Sequence, residues 1–146
     1  MKKIMLFTFT TSILATTFAQ AEQPRTLSSD KIAQAQFNKI SANKNLPSWI
    51  KTGGTTSETK SVKIAGKDYL VFNACKPHDC SSEQIATLYS PQSKTMTSVY
   101  SSVNEKKATQ QLKWMSNQTE ISIEAKTILL SALTGALDNY PQKFNL

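Results

Sequence analysis

The sequence predicts an α+β fold in a single domain, with a central antiparallel β-sheet of about five strands flanked by helices. Two amphipathic segments with helical spacing enclose a middle region in which short alternating strands are separated by turn residues. The composition agrees, because 39% of the 146 residues are hydrophobic and only 4 are glycine and 5 are proline. Such a chain can bury a core, which excludes the disordered and collagen-like classes.

The first 21 residues are predicted to be a secretory signal peptide outside this domain. Residues 1–3, Met-Lys-Lys, form a short cationic segment. Residues 4–18 form an apolar run that is shorter than the roughly 20 residues needed to span a membrane. Residues 19–21, Ala-Gln-Ala, supply the small side chains that signal peptidase requires, so we expect cleavage after Ala21. The mature domain would then comprise residues 22–146, exported and without a membrane anchor.

The start of the mature chain carries signals for one helix and a packed connection. After a loose polar arm at residues 22–27, residues 28–30 offer capping side chains ahead of apolar residues at helical spacing. We expect this helix to end at about Ala42. Residues 46–50 are expected to form a connection that packs through Leu46, Trp49 and Ile50, because Pro47 disfavours helical geometry at the residue before it.

The middle of the chain is predicted to form the sheet. A turn at Gly53 and Gly54 leads into an exposed strand that ends at Lys60. Further segments alternate apolar and polar side chains and are separated by short turn-forming stretches, which is typical of antiparallel hairpins. We expect strands at residues 61–64, 69–72, 85–89, 95–100 and 112–114 and turns at residues 66–68 and 90–93, whereas residues 104–111 could form a turn of helix.

A second helix is predicted to cover the sheet. From Ser122 onward, apolar residues recur at helical spacing as far as Ala136. Residues 138–141 end with a proline, so the helix is expected to stop there.

The composition leaves few resources for catalysis or metal binding. The chain has 1 histidine, His78, and 2 cysteines, so sites that need several His or Cys ligands are excluded, and we expect no metal and no cofactor. The formal charge of +7 falls to +5 once the two lysines of the signal peptide are removed. The lysines of the mature chain are scattered and are not interleaved with aromatic residues, which argues against a nucleic-acid partner.

Residues 75–80, Cys-Lys-Pro-His-Asp-Cys, are the most unusual segment, and we call them the cysteine loop. In an exported protein two close cysteines can form and keep a disulfide. Closing a ring of this size contributes only about 2 kcal/mol by chain entropy, so global stability is not its best explanation. A small ring stiffened by Pro77 would instead present Lys76, His78 and Asp79 outward on a rigid surface.

Several other interpretations of the cysteine loop are possible. A redox dithiol is disfavoured, because four residues separate the cysteines where the oxidoreductase motif has two. A metal site would have to wrap one ion within a single tight turn, and a cysteine nucleophile is lost if the thiols are oxidised. The residues alone therefore leave two readings open, a stapled hairpin with a merely solvated histidine and a protruding recognition loop.

The cysteine loop resembles the signature of the inhibitor of vertebrate lysozyme family. Similarity extends over nearly the whole mature chain, although Thr56-Ser57-Glu58 departs from the family pattern. The other matching segments are Leu46-Pro47-x-Trp49, Gly53-Gly54-Thr55, Ser122-Ile123, Lys126-Thr127, Ala132-Leu133-Thr134-Gly135, Pro141 and Phe144-Asn145.

The resemblance implies a non-enzymatic protein of the Gram-negative periplasm that blocks C-type lysozymes and often forms a homodimer. The loop of the family protrudes into the lysozyme cleft, and His78 would reach the catalytic Glu and Asp of the enzyme. By position, the lysozyme-binding residues would be Lys76, Pro77, His78 and Asp79, held by a disulfide between Cys75 and Cys80.

Two alternative functions remain. The first is a cationic protein that binds peptidoglycan or another anionic part of the envelope, and the second is a modulator of endogenous lytic transglycosylases. The net charge is a reason to keep these alternatives beside lysozyme inhibition. C-type lysozymes are usually basic, so a mature domain of charge +5 would be repelled from them at long range.

Overall fold

The computed structural model describes residues 25–146. The predicted signal peptide, its cleavage site after Ala21 and residues 22–24 lie outside the described residues. The elements in chain order are α1 (Lys31–Ser41), α2 (Ser48–Thr52), β1 (Thr55–Thr56), β2 (Lys60–Ile64), β3 (Lys67–Cys75), β4 (Glu83–Tyr89), β5 (Met96–Asn104), β6 (Thr109–Ser116), α3 (Ile123–Leu133) and α4 (Ala136–Asn139), with short 3₁₀ turns at Glu105–Lys107 and Pro141–Lys143.

Helix α1 lies where the periodicity predicts it. The Asp30 carboxylate accepts hydrogen bonds from the backbone N–H groups of Ile32 and Ala33, a cap that contributes about 1 kcal/mol. The prediction of a loose arm before it is wrong for the part described. The backbone N–H of Asp30 donates to the carbonyl of Thr26 at 3.1 Å, and Leu27 packs against the core, so this segment forms an ordered turn.

The predicted connection at residues 46–50 packs as expected, with Ile50 buried and Leu46 and Trp49 against the same core cluster, and its second half is the start of the short helix α2. Pro47 restricts the residue before it but not those after it, so α2 begins directly at Ser48. Gly53 ends the helix at φ 103°, and its N–H donates to the carbonyl of Trp49.

The sheet is antiparallel throughout in the order β1-β3-β4-β5-β6, with β2 also paired to β3. This confirms the predicted α+β class. The first turn lies at Ala65 and Gly66, with φ of 48° and 75°, rather than at residues 66–68. Two consecutive positive φ values are typical of a two-residue hairpin, so Lys67 and Asp68 already belong to β3.

The ambiguous segment at residues 104–111 divides between two structures. Glu105–Lys107 is a single 3₁₀ turn, and β6 begins at Thr109, before the predicted position of the fifth strand.

The two faces of the sheet are covered by different helices. Along β3, Val71 faces α3 and Phe72 faces α1, because successive side chains of a strand point to opposite faces. Ile128 and Leu129 of α3 are completely buried, and each contributes about 1.5–3 kcal/mol by its removal from water. The sheet is therefore sandwiched between α1 with α2 on one side and α3 with α4 on the other.

The C-terminal helical region is interrupted, unlike the single helix predicted. Ser122 caps α3 by accepting from the N–H of Ala125, and Gly135, at φ 76°, separates α3 from the short α4. The chain then returns to the edge strand β2. The N–H of Leu146 donates to the carbonyl of Lys63 at 2.8 Å, which satisfies part of an otherwise open sheet edge.

Within residues 25–146, none of the helices is both long enough and apolar enough to cross a membrane.

Candidate functional site

The cysteine loop lies at one end of the two neighbouring strands β3 and β4. Strand β3 ends at Cys75 and β4 begins at Glu83, so residues 76–82 form the connection. A disulfide joins Cys75 to Cys80, whose Cα atoms are 4.8 Å apart. The expected ring is therefore present, and neither of these cysteines is a free thiol.

Within the ring the chain reverses in a tight turn. The backbone N–H of Asp79 donates to the carbonyl of Lys76 at 3.0 Å, with Pro77 and His78 between them. His78 has φ 63°, and a proline followed by a residue of positive φ is the pattern of a type II turn. Glycine or asparagine usually occupies that third position, so histidine there carries a conformational cost of about 1–2 kcal/mol. Pro77 and His78 are both exposed, and for His78 this is what the sequence predicts.

Lys76 and Asp79 do not simply point outward, which corrects the prediction for both side chains. The Lys76 ammonium lies 3.0 Å from the Asp79 carboxylate and 2.8 Å from the carboxylate of Glu83. Their side chains stay 39% and 36% exposed, so both are paired and still accessible from solvent. Pro77 and His78 are the more exposed residues of the turn.

Glu83 receives hydrogen bonds from three different elements. Its Oε1 accepts from the Lys76 ammonium, and its Oε2 accepts from the Trp49 indole N–H of α2 at 2.9 Å and from the Tyr100 hydroxyl of β5 at 2.8 Å. Its side chain is only 20% exposed. A carboxylate removed from water in this way is stabilised by its donors, and hydrogen bonds to a charged group are the stronger kind.

The strand register explains why these groups meet. Cys75 is opposite Gln84, so Lys76 and Glu83 follow as the next pair, and the Lys76 N–H donates to the Glu83 carbonyl at 3.0 Å. Directly opposite residues of opposite charge attract each other across an antiparallel pair. Tyr100 is opposite Ile85, which places it diagonally to Glu83 on the same face.

Hydrogen bonds and ion pairs keep Lys76, Asp79 and Glu83 charged at neutral pH and keep the Tyr100 hydroxyl neutral. The hydrogen bond from Lys76 lowers the pKa of Glu83 despite the opposing effect of burial, with further help from Trp49 and Tyr100. Burial, together with the hydrogen bond to Glu83, raises the pKa of Tyr100 to about 12. Glu83 first and Asp79 second raise the pKa of Lys76. The Ser82 side chain and then Lys76 lower the pKa of Asp79.

Behind the loop, Gly54 allows a close approach of three chain segments. A Cβ at this position would lie 2.6 Å from the Cys75 carbonyl oxygen and 2.8 Å from the Trp49 ring, and Gly54 has φ 59°. Strand β1 follows at once and pairs with the end of β3, with Thr55 opposite Cys75. The segment from Trp49 to Thr55 therefore supports the root of the cysteine loop.

Sequence reasoning identified the loop but not the residues that hold it. Glu83 is a lone acidic residue between polar neighbours, and Tyr100 belongs to a strand whose alternation indicates only burial. The cysteine spacing does not supply this pairing, because a hairpin closed at Cys75 and Cys80 would place Lys76 opposite Asp79. Only the observed register, with Cys75 opposite Gln84, brings Lys76 beside Glu83.

A cavity of about 600 Å³ lies on the α1 side of the sheet, behind the loop. Phe37, Trp49 and Phe72 are among its lining residues, and none of residues 76–82 lines it. Any small molecule bound there would be separate from the exposed turn at His78.

The polar side chains of the ring are largely engaged with one another. Both cysteines are disulfide-bonded, and Asp79 and Glu83 are both paired with Lys76. The part of the chain from residue 25 onward contains no group of three His, Cys, Asp or Glu side chains arranged to hold a metal ion. His78 is therefore displayed on a ring whose other polar groups are already engaged.

Comparison with known proteins agrees with the resemblance seen in the sequence. The family model described as "Inhibitor of vertebrate lysozyme (Ivy)" matches residues 33–132, which include the cysteine loop and all six strands of the sheet. The chain is 37% identical over 147 aligned residues to the inhibitor of vertebrate lysozyme of Escherichia coli K12, covering 97% of this chain and 94% of that protein. A shorter match, 30% identical over 46 residues, relates it to the inhibitor of vertebrate lysozyme of Pseudomonas aeruginosa PAO1 and covers 31% of this chain and 30% of that protein. The chain belongs to the inhibitor of vertebrate lysozyme family.

Proposed function

We propose that this protein inhibits C-type lysozyme, without being an enzyme, by placing the cysteine loop in the active-site cleft. The observation that carries the proposal is the exposed His78 at the turn of a disulfide-closed ring. Pro77 is exposed beside it, whereas Lys76 and Asp79 are tied to each other and to Glu83. Family membership supports lysozyme as the partner.

The chemistry of the target matches a single imidazole. Lysozyme, the type case of a retaining glycosidase, has two carboxyl groups about 5 Å apart, one protonated and one ionised. The two ring nitrogens of His78 lie on different sides of the ring, so one can accept from the acid while the other donates to the carboxylate. Protonation of the imidazole between the two groups would give a charge-assisted contact.

Rigidity is what makes such a contact productive. A flexible loop would lose conformational freedom on entering a cleft, at a cost of about 0.5–1.5 kcal/mol for each side chain that becomes ordered. In this protein the ring and the Lys76–Glu83 contact impose that order before binding. The loop would then occupy the position of the substrate without offering a glycosidic bond.

The same proposal includes the compartment in which the protein acts and its oligomeric state. The predicted signal peptide at residues 1–21 would deliver the mature domain, residues 22–146, to the periplasm, where a disulfide can persist. A homodimer stays a prediction from the family.

The test is a lysozyme lysis assay titrated with the purified, oxidised protein. We expect near-stoichiometric inhibition that His78→Ala weakens by at least about 30-fold, corresponding to a hot-spot residue of roughly 2 kcal/mol. Because His78 has positive φ, His78→Gly removes the side chain while keeping the turn and should weaken inhibition as much. The matched control is Gln92→Ala, an exposed uncharged residue in the β4–β5 connection at the opposite end of the sheet.

Two outcomes would overturn the proposal. One is full inhibition by a folded His78→Gly protein, which would show that the side chain does not act in the cleft. The other is salt-sensitive sedimentation with purified peptidoglycan while lysozyme stays fully active, which would favour the cationic envelope-binding function.

A further inference from the structure

We propose that Glu83 is the positioning residue of the cysteine loop, acting through Lys76 to orient the turn that carries His78. The inference rests on the proposed function, since it concerns how the loop is made ready for a cleft. It extends the binding machinery to a residue outside the ring of residues 75–80.

The disulfide alone does not set the direction of the ring. It joins Cys75, the last residue of β3, to Cys80, so it closes the ring onto one strand and provides no contact between the ring and α2 or β5. The side chain of Glu83 makes such a contact, because it binds Lys76 of the ring together with Trp49 of α2 and Tyr100 of β5. These two aromatic donors fix the carboxylate, and the carboxylate in turn fixes the ammonium.

Lys76 passes this constraint to the turn. Its ammonium also binds Asp79, and its carbonyl accepts the N–H of Asp79 that closes the turn around Pro77 and His78. Both ends of the turn are therefore tied to the Glu83 carboxylate through one lysine, in addition to the backbone bond from the Glu83 N–H to the Asp79 carbonyl at 3.3 Å. Lys76 and Asp79 would then affect lysozyme binding by orienting the turn rather than by direct charge contact.

The first experiment compares Glu83→Gln with Asp68→Asn in the lysis assay. Asp68 also pairs with a lysine, Lys63, but it lies at the opposite end of β3 and is exposed. Loss of hydrogen bonds to a charged acceptor predicts that Glu83→Gln raises the apparent Kd for lysozyme about tenfold, while Asp68→Asn leaves it unchanged. Tyr100→Phe removes a single donor, keeps the ring and should weaken inhibition less, which provides a milder variant if Glu83→Gln folds poorly.

A double-mutant cycle separates positioning from general destabilisation. In a His78→Gly background there is no imidazole to orient, so Glu83→Gln should add almost no further loss of inhibition. A direct contact between Glu83 and lysozyme, or a global loss of folded protein, would add its full effect in that background. Either result would overturn the positioning role.

A measurement on the free protein keeps this inference separate from the proposed function. Amide hydrogen exchange and ¹⁵N relaxation of residues 76–82 report the order of the loop without lysozyme. Glu83→Gln should increase exchange and mobility there and leave the Ala65–Gly66 turn unchanged. If the loop stays equally ordered, Glu83 has no positioning role, whereas failure of the wild-type protein to inhibit lysozyme would contradict only the proposed function.

Discussion

Strand β3 enters the sheet through the Ala65–Gly66 turn and leaves it through the cysteine loop, and the two connections reverse the chain by different means. The first needs two residues with positive φ and little else. The second spans residues 76–82 and is held by a disulfide and by the partly buried carboxylate of Glu83. Since both connections join antiparallel neighbours, the additional interactions at the second exceed what a hairpin requires.

The ion pairs at the two ends differ in the same way. Lys63 and Asp68 are 56% and 62% exposed, and exposed pairs of this kind contribute little in water. Glu83 is 20% exposed and has two neutral donors besides its lysine. The comparison indicates that one end of β3 only closes a hairpin, whereas the other end is held in a defined conformation by side-chain contacts from α2 and β5.

The largest expected effect on stability comes from removing the support behind the loop. In Gly54→Ala the new Cβ would meet the Cys75 carbonyl at 2.6 Å, and the residue has positive φ. Backbone strain and overpacking together predict a loss of at least about 3 kcal/mol in the free energy of unfolding, with loss of inhibition. Gly66→Ala is the matched control, because its Cβ meets nothing within 4 Å and only about 1 kcal/mol of backbone strain is expected. Equal losses in urea unfolding would contradict the difference between the two ends.

Opening the ring should have a smaller effect on stability and a selective effect on binding. Replacing Cys75 and Cys80 together by serine removes a short cross-link, which predicts a loss of about 2 kcal/mol in unfolding free energy. Inhibition should weaken roughly tenfold even where the protein is fully folded, because the loop must then become ordered on binding. Undiminished inhibition by the folded double variant would show that the disulfide does not prepare the loop.

The smallest expected effect is on the acid side of the stability curve. The pKa of Glu83 lies below its ordinary value of 4.5 in the folded protein, so the unfolded state binds more protons there. The stabilisation is present above pH 4.5 and is lost as the pH falls through the folded pKa. Unfolding free energies of the wild-type protein should therefore decline more steeply below pH 4.5 than those of Glu83→Gln. Parallel declines would show that the Glu83 contacts do not stabilise the fold.

The fold was predictable where local signals agree with burial. Periodicity places Phe37 of α1 and Ile128 of α3 in the core, and both are buried. Proline and glycine were harder to interpret, because the same residue can end one element and begin another. Pro47 starts α2 instead of only interrupting a helix, and Gly135 divides the C-terminal helix into two.

The site was predictable only in part, and the reason is long-range contact. The unusual composition of residues 75–80 marks the loop and predicts the exposure of His78, which the structure confirms. The orientation of Lys76 depends on Glu83, which lies across the strand pair, and the position of Glu83 depends on Trp49, 34 residues away. Such partners come together only when the sheet register is known.

Competition with a substrate analogue tests whether the loop occupies the lysozyme cleft without altering the inhibitor. Binding of the wild-type protein to a C-type lysozyme would be measured by calorimetry at increasing concentrations of a chito-oligosaccharide that fills the substrate cleft. If His78 and its turn enter that cleft, the apparent Kd of the inhibitor for lysozyme rises linearly with the oligosaccharide concentration. An apparent Kd that does not change with saturating oligosaccharide would contradict occupation of the cleft.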